Sequence, residues 1–278
     1  MSLFKYRSGE AAQQSLIEGT VFFATPSTLN DTLEAKYEDS SAEEFSRVIV
    51  ETVNEISCIR SGIAFERDRQ LLAEFRDVNA RENERLRTFA DQIGIFSAAQ
   101  RPDHQAMWAY YADNAKGVCF EMDWTKDLIQ QHQIWASEVQ YHDRERTHNR
   151  ADDWRAVFLE LSRSYPDASL DELIAKSLDE EARRKWGILT ASRAVSVKHT
   201  DWAHEQEIRL LAPKSGAMPI LKDVLKRVHF VRYDGEFLAE IMGLLHRKYP
   251  SVEVVQWKFS HGSLAANPTP MDIRIILA

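Results

Sequence analysis

Glu205, Glu207 and Arg209 fall at every second position of DWAHEQEIRLL, Asp201 to Leu211. Read as a strand, this spacing turns all three side chains to one face, with His204, Gln206, Ile208 and Leu210 on the other. Two carboxylates directed into a cleft suit glycosidic chemistry. One stabilises an oxocarbenium-like transition state while the other positions or deprotonates the nucleophile. Arg209, as the same-face neighbour of Glu207, would lower its pKa and keep it ionised at neutral pH. The competing placement is an exposed sheet face with charges paired across strands, worth about 0.2–1 kcal/mol each.

Two further segments carry chemistry-bearing residues. The block AMWAYYADNAKGVCFEMD, Ala106 to Asp123, combines Met107, Trp108, Tyr110, Tyr111, Cys119 and Phe120, residue types that ordinarily build a core. Asp113, Asn114 and Gly117 read as the turn that joins its helix to its strand. Near the N-terminus, Tyr6 and Arg7 end a first strand candidate, and Thr25, Ser27, Asn30 and Asp31 follow a second. Arg7 there is suited to binding an anion or pairing with Glu207, and Thr25 to Asp31 equally suit plain turn chemistry.

The familiar motif classes are missing. The closest histidine pairs, His142 with His148 and His199 with His204, do not have zinc spacing, and HExxH is absent. Neither GxGxxG, GxxxxGK[ST] nor GxSxG occurs. A metal-dependent nuclease would have to draw on Glu205, Glu207 and Asp123, and Arg209 on the same face argues against a cation there. No metal is expected.

The net charge of −8 argues against broad, sequence-independent binding to nucleic acid. The two cysteines, Cys58 and Cys119, point to a reduced protein. The N-terminal stretch lacks the apolar core of a signal peptide, and no apolar run approaches the roughly 20 residues that span a bilayer. A cytoplasmic protein with no membrane partner is the expectation.

These residues need elements to hold them. Strands are expected at Leu3–Arg7, Val21–Ala24, Ile93–Phe96, Gly117–Met122, Val139–Tyr141, Ala194–Lys198, Glu205–Leu211, Leu225–Val231, Val252–Gln256 and Ile273–Leu277. Ser8 should cap a helix over Gly9–Glu18 that Gly19 stops, and Gln105–Ala112 reads as a short aromatic helix. Helical periodicity fills Ser41–Gln92 as two amphipathic helices, through Phe45, Val48, Ile49, Val53 and Ile56, then Leu71, Leu72, Phe75 and Val78. Asp152–Ser164, Leu170–Trp186 and Glu236–Lys248 are helical as well. The expected architecture is one α+β domain with a central mixed or antiparallel sheet and helical insertions at about 41–92 and 152–190.

The order LFKYRS, FFATPSTLND, MWAYYADNAKGVCFEMD and KHTDWAHEQEIRLL is similar to that of the bacterial domain-of-unknown-function family 2971. Tyr110 stands where that family usually has His, and Leu33 where a proline-aromatic pair is usual. The family is itself distantly similar to the ADP-ribosyltransferase fold. That resemblance implies NAD as substrate, Glu207 and Glu205 as the catalytic carboxylates, and Arg7 as the group on the NAD pyrophosphate. Tyr6, Thr25, Ser27, Asn30, Trp108, Tyr110 and Arg209 would complete the NAD-binding site, and Trp202 and His204 would lie in the loop that meets the target. It further implies a bacterial toxin or phage-defence effector that transfers ADP-ribose to a protein or nucleic acid. NAD hydrolysis, or nucleotide or partner binding without turnover, are the alternatives.

Overall fold

The computed structural model describes residues 1–29, 41–62, 91–143, 150–232 and 237–260, together with 80, 81, 84, 88, 263–264 and 269–271. The expected strand at Ile273–Leu277, the Leu71–Val78 half of the first helical insertion, and Asn30 lie outside those residues. The described strands are β1 (Ser2–Arg7), β2 (Val21–Phe23), β3 (Gly94–Ala99), β4 (Val118–Asp123), β5 (Trp135–Glu138), β6 (Gln140–His142), β7 (Val197–His199), β8 (Glu207–Ala212), β9 (Gly216–Met218), β10 (Leu225–Phe230), β11 (Glu253–Gln256), β12 (Phe259–Ser260), β13 (Ser263–Leu264) and β14 (Thr269–Met271). The helices are α1 (Gly9–Glu18), α2 (Ala42–Ser61), α3 (Gln105–Tyr111), α4 (Lys126–Gln131), α5 (Arg150–Ser164), α6 (Leu170–Ser177), α7 (Glu180–Ala194), α8 (Leu221–Val224) and α9 (Leu238–Lys248). The fold class is α+β with a central mixed sheet, as the sequence leads one to expect.

The chain divides into two compact units, one formed by Met1–Asn30, Gln92–Asp143 and Lys198–Ala278 and the other by Asp31–Asp91 and Arg144–Val197. The second unit thus draws its chain from the two regions read as helical insertions. Its core joins α2, α5, α6 and α7 through Phe45, Val53, Trp154, Phe158, Leu173 and Trp186. The ring of Phe45 stacks 5.8 Å from Trp186, and Trp154 stacks 4.8 Å from Phe158. The stretch expected as one helix over Leu170–Trp186 is two, because Asp179 accepts a hydrogen bond from the amide of Ala182 and starts α7 afresh. Buried Asp153 is held by Arg193 at 2.5 Å and by the Thr190 hydroxyl at 2.8 Å.

The first unit holds the sheet, in the order β14–β11–β10–β4–β1–β3–β8–β5, and among the described strands only β10 and β11 are parallel. One face packs Leu3, Phe96, Phe120, Leu210 and Val228 against α1 and α9, which bring Leu16, Ile241 and Leu245. The alternate residues Tyr6, Ala99 and Cys119 face the other way onto Met107, Trp108 and Trp257. Helix α1 begins and ends where its sequence says. Ser8 accepts from the amide of Ala11, and Gly19 closes the helix with φ of 72°.

One irregularity of this sheet matters for function. Strand β1 pairs with β4 along its whole length, from Ser2 opposite Asp123 to Arg7 opposite Val118. Its pairing with β3 is confined to Phe4 opposite Ala99. Further along, β3 turns its edge to Ala24 instead, with two 2.8 Å hydrogen bonds between Ala24 and Ile95. The sheet therefore splits between the ends of β1 and β3.

Candidate functional site

A pocket of about 230 Å³ occupies this split. Lys5, Tyr6 and Arg7 line it from β1, Ser97 and Ala99 from β3, Glu207 and Arg209 from β8, and Lys198, Glu205 and Tyr111 close it. Gly117 fixes one lip. A Cβ on it would stand 2.1 Å from the carbonyl oxygen of Arg7, so the close pairing of β4 with the end of β1 requires glycine.

Two of the three alternating charges share the expected face. Glu207 and Arg209 point the same way from β8, opposite Ala99 and Ser97. Glu205 arrives differently. It ends a 3₁₀ helix over Thr200–Glu205, and Gln206 then takes left-handed backbone angles (φ 46°, ψ 53°) before β8 begins at Glu207. The helical turn, not a shared strand, brings the second carboxylate beside the first.

The result is a buried cluster, not a solvated sheet face. Lys198, Glu205, Glu207 and Arg209 are between 1% and 4% exposed. The ammonium of Lys198 lies 2.6 Å from Oε2 of Glu205 and 3.4 Å from Oε2 of Glu207, under the ring of Trp202 at 4.8 Å. Arg209 Nε donates to Oε1 of Glu207 at 2.8 Å, and Tyr111 donates to Oε1 of Glu205 at 2.5 Å. The amide of Glu207 donates to the Tyr141 hydroxyl at 2.9 Å. Two cations and two anions balance, which is what keeps such a cluster buried. Burial pushes the Glu207 carboxyl up, but the charge and hydrogen bonds of Arg209, with Lys198 and Ser97, override it and bring it to about 2.

The β1 lip has no such balance. The ammonium of Lys5 donates to the Ser97 carbonyl at 2.6 Å and lies 5.1 Å from the Phe96 ring centre. Burial first, then the Arg7 charge, pushes Lys5 down to about 7. The Nε of Arg7 is buried without a hydrogen-bond partner, and burial lowers its pKa. Among the described residues Arg7 forms no ion pair with Glu207. Tyr6 contributes its ring to the pocket. Its hydroxyl is spent on the carbonyl of Arg101 at 3.0 Å, and burial raises its pKa.

The remaining expected residues scatter. Thr25 and Ser27 bond one another at 3.0 Å beside the Pro26–Thr28 3₁₀ turn, and it is Thr28 that lines the pocket. Trp108 is 1% exposed, edge-on to Tyr6 at 5.2 Å, with its Nε1 donating to the Pro102 carbonyl at 2.8 Å. Tyr110 is 71% exposed and lines a second cavity of about 490 Å³ with Tyr111, Asp201, Trp202 and His204. Trp202 and His204, expected in a loop, lie in the 3₁₀ helix Thr200–Glu205, and Tyr111, which lines both cavities, joins their cavity to the carboxylates. Lys5, Tyr111 and Lys198 are the site residues that pattern reading passes over. Lys198 carries no local signal, because its role depends on a turn seven residues away.

The central part of the chain is similar to a known family model. Residues 107–210 match DUF2971, described as a protein of unknown function. The DUF2971 match begins in α3 and ends in β8. It contains Tyr111, Lys198, Glu205, Glu207 and Arg209, while Lys5 and Arg7 precede it. No curated protein and no solved structure matches the chain. Among the described residues no group of three or more His, Cys, Asp or Glu is arranged to hold a metal ion, and no helix is long and apolar enough to cross a membrane.

Proposed function

We propose that this chain is an NAD-consuming, ADP-ribosyltransferase-like enzyme acting at the split between β1 and β3. The observation that carries the reading is the convergence of Arg7, Glu205 and Glu207 on one pocket from elements far apart in the chain. In the reaction the bond between ribose C1′ and the nicotinamide nitrogen breaks, and its electron pair leaves with nicotinamide. Positive charge develops on the ribose as an oxocarbenium. Glu207, kept ionised by Arg209, accepts a hydrogen bond from the nicotinamide-ribose 2′-OH and stabilises that charge. Its 3.4 Å contact with Lys198 is longer than the 2.6 Å contact of that ammonium with Glu205, and is where a 2′-OH can enter. Glu205 orients the acceptor nucleophile, which attacks C1′ and passes its proton to the Glu205 carboxylate. Arg7 holds the diphosphate with its planar fork.

The acceptor is a protein or nucleic acid in an effector of the toxin or phage-defence kind, or water in a glycohydrolase. NAD labelled in its adenylate separates these. Incorporation of label into lysate macromolecules supports transfer, and free ADP-ribose alone supports hydrolysis. Intact NAD in both reactions refutes the enzyme reading.

A second reading has its own supporting observation. Lys198, Arg209 and Tyr111 already occupy both carboxylates, as expected of a protein that binds a nucleotide or partner without turnover. In that case NAD raises the melting temperature by mass action while no nicotinamide appears.

A further inference from the structure

The charges lining the pocket do not sum to zero. Glu205 and Glu207 are engaged by Lys198 and Arg209, and no carboxylate among the described residues lies within ion-pair distance of Lys5 or Arg7. A buried guanidinium nitrogen with no partner is costly unless a ligand supplies the acceptor. Lys5 and Arg7 are two apart on β1 and both line the pocket.

We propose that Lys5 completes an anion subsite with Arg7, and that a phosphate-bearing dianion binds there together with one proton taken up by Lys5. That the dianion is the diphosphate of NAD rests on the function proposed above. The subsite itself rests on the charge surplus. The groups that set the protonation of Lys5 are Arg7 on its own strand, Glu207 and Arg209 on β8, and Glu205 at the end of the 3₁₀ helix. From β3 it meets the Phe96 ring and the Ser97 carbonyl, and across the β4 pairing it faces Phe120. The two carboxylates favour its charged form, while burial, Arg7 and Arg209 oppose it, leaving Lys5 at about 7. A dianion placed beside it reverses that balance and draws the proton on.

The test uses ADP-ribose, whose diphosphate diester carries two charges that do not titrate near neutral pH, with sulfate as the minimal probe. Calorimetry in two buffers of different ionisation enthalpy counts the protons taken up. Wild type should bind ADP-ribose roughly tenfold to thirtyfold more weakly at about pH 8.5 than at about pH 6.5, with close to one proton taken up near pH 8. Lys5→Arg should bind with no such slope, Lys5→Met should bind weakly at both pH values, and Arg7→Gln should lose binding with its melting curve intact. Sulfate should raise the melting temperature of wild type and not of Arg7→Gln. A wild-type affinity flat in pH, a slope that survives in Lys5→Met or Lys5→Arg, or failure of both probes to bind would overturn the proposal. Nicotinamide release combined with flat ADP-ribose binding removes this inference and leaves the enzyme reading standing. Proton-linked binding without nicotinamide release does the reverse.

Discussion

The ammonium of Lys198 is 2.6 Å from Glu205 and 3.4 Å from Glu207, so one buried cation holds two carboxylates that reach it from a 3₁₀ helix and a strand. The arrangement explains how two like charges coexist where water is excluded. It also assigns Lys198 the task of positioning both acids.

Lys198→Met should therefore cost about 3–5 kcal/mol of stability, because it leaves two buried anions with one cation between them. Urea unfolding measures this. Adding Glu205→Gln to Lys198→Met should recover part of the loss, a coupling that independent surface contacts do not show.

The pH dependence of stability follows from two opposite shifts. Glu207 is lowered from 4.5 to about 2 in the folded protein, so the unfolded chain binds its proton first as pH falls. The stability that Glu207 contributes is complete above about pH 4.5 and is lost as the pH falls through about 2. Relative to wild type, Glu207→Gln should accordingly lose most at neutral pH and progressively less on acidification.

Lys5 works the other way. Its folded value of about 7 lies below the ordinary 10.5, so the unfolded chain binds more protons between those limits and stability rises with pH there. Lys5→Met should raise the melting temperature relative to wild type most below about pH 7, with the difference closing as pH approaches 10.5. Melting curves for both pairs across the pH range check the two signs.

Tyr110 and Tyr111 are neighbours with different work. Tyr111→Phe removes a hydrogen bond to a buried carboxylate and should cost about 1.5–3 kcal/mol. Tyr110→Ala, on a side chain 71% exposed, should stay within about 0.5 kcal/mol. Denaturation of the two variants side by side is decisive.

That pair shows where sequence reading reaches its limit here. The cap at Ser8, the stop at Gly19 and the shared face of Glu207 and Arg209 depend on near neighbours and were legible. So was the α+β class with its central sheet. The 3₁₀ turn at Thr200–Glu205 was not, since EQE alternates like a strand until Gln206 adopts left-handed angles. Which of two adjacent tyrosines meets Glu205 depends on the rotation of α3 against the 3₁₀ helix that carries this carboxylate, and no spacing records it. The split between β1 and β3 is equally non-local, because Ala24 takes the edge that β1 vacates.

Gly117→Ala tests whether that split is held open by packing. The added Cβ, 2.1 Å from the Arg7 carbonyl oxygen, must displace the end of β1. The expected cost is about 1–3 kcal/mol. Binding of ADP-ribose should weaken beyond what the residual unfolded fraction explains, because Arg7 moves with its backbone.

On the function proposed above, Glu207 stabilises the oxocarbenium that forms as the nicotinamide–ribose bond of NAD breaks in this pocket. The most direct test of that role is nicotinamide release from NAD by purified protein, with and without cell lysate as a source of acceptor, compared with Glu207→Gln. Wild type should release nicotinamide and the variant should lose at least about a hundredfold, the scale of removing one group that stabilises transition-state charge. Equal rates for the two proteins, or no release above background by wild type in either condition, would contradict it.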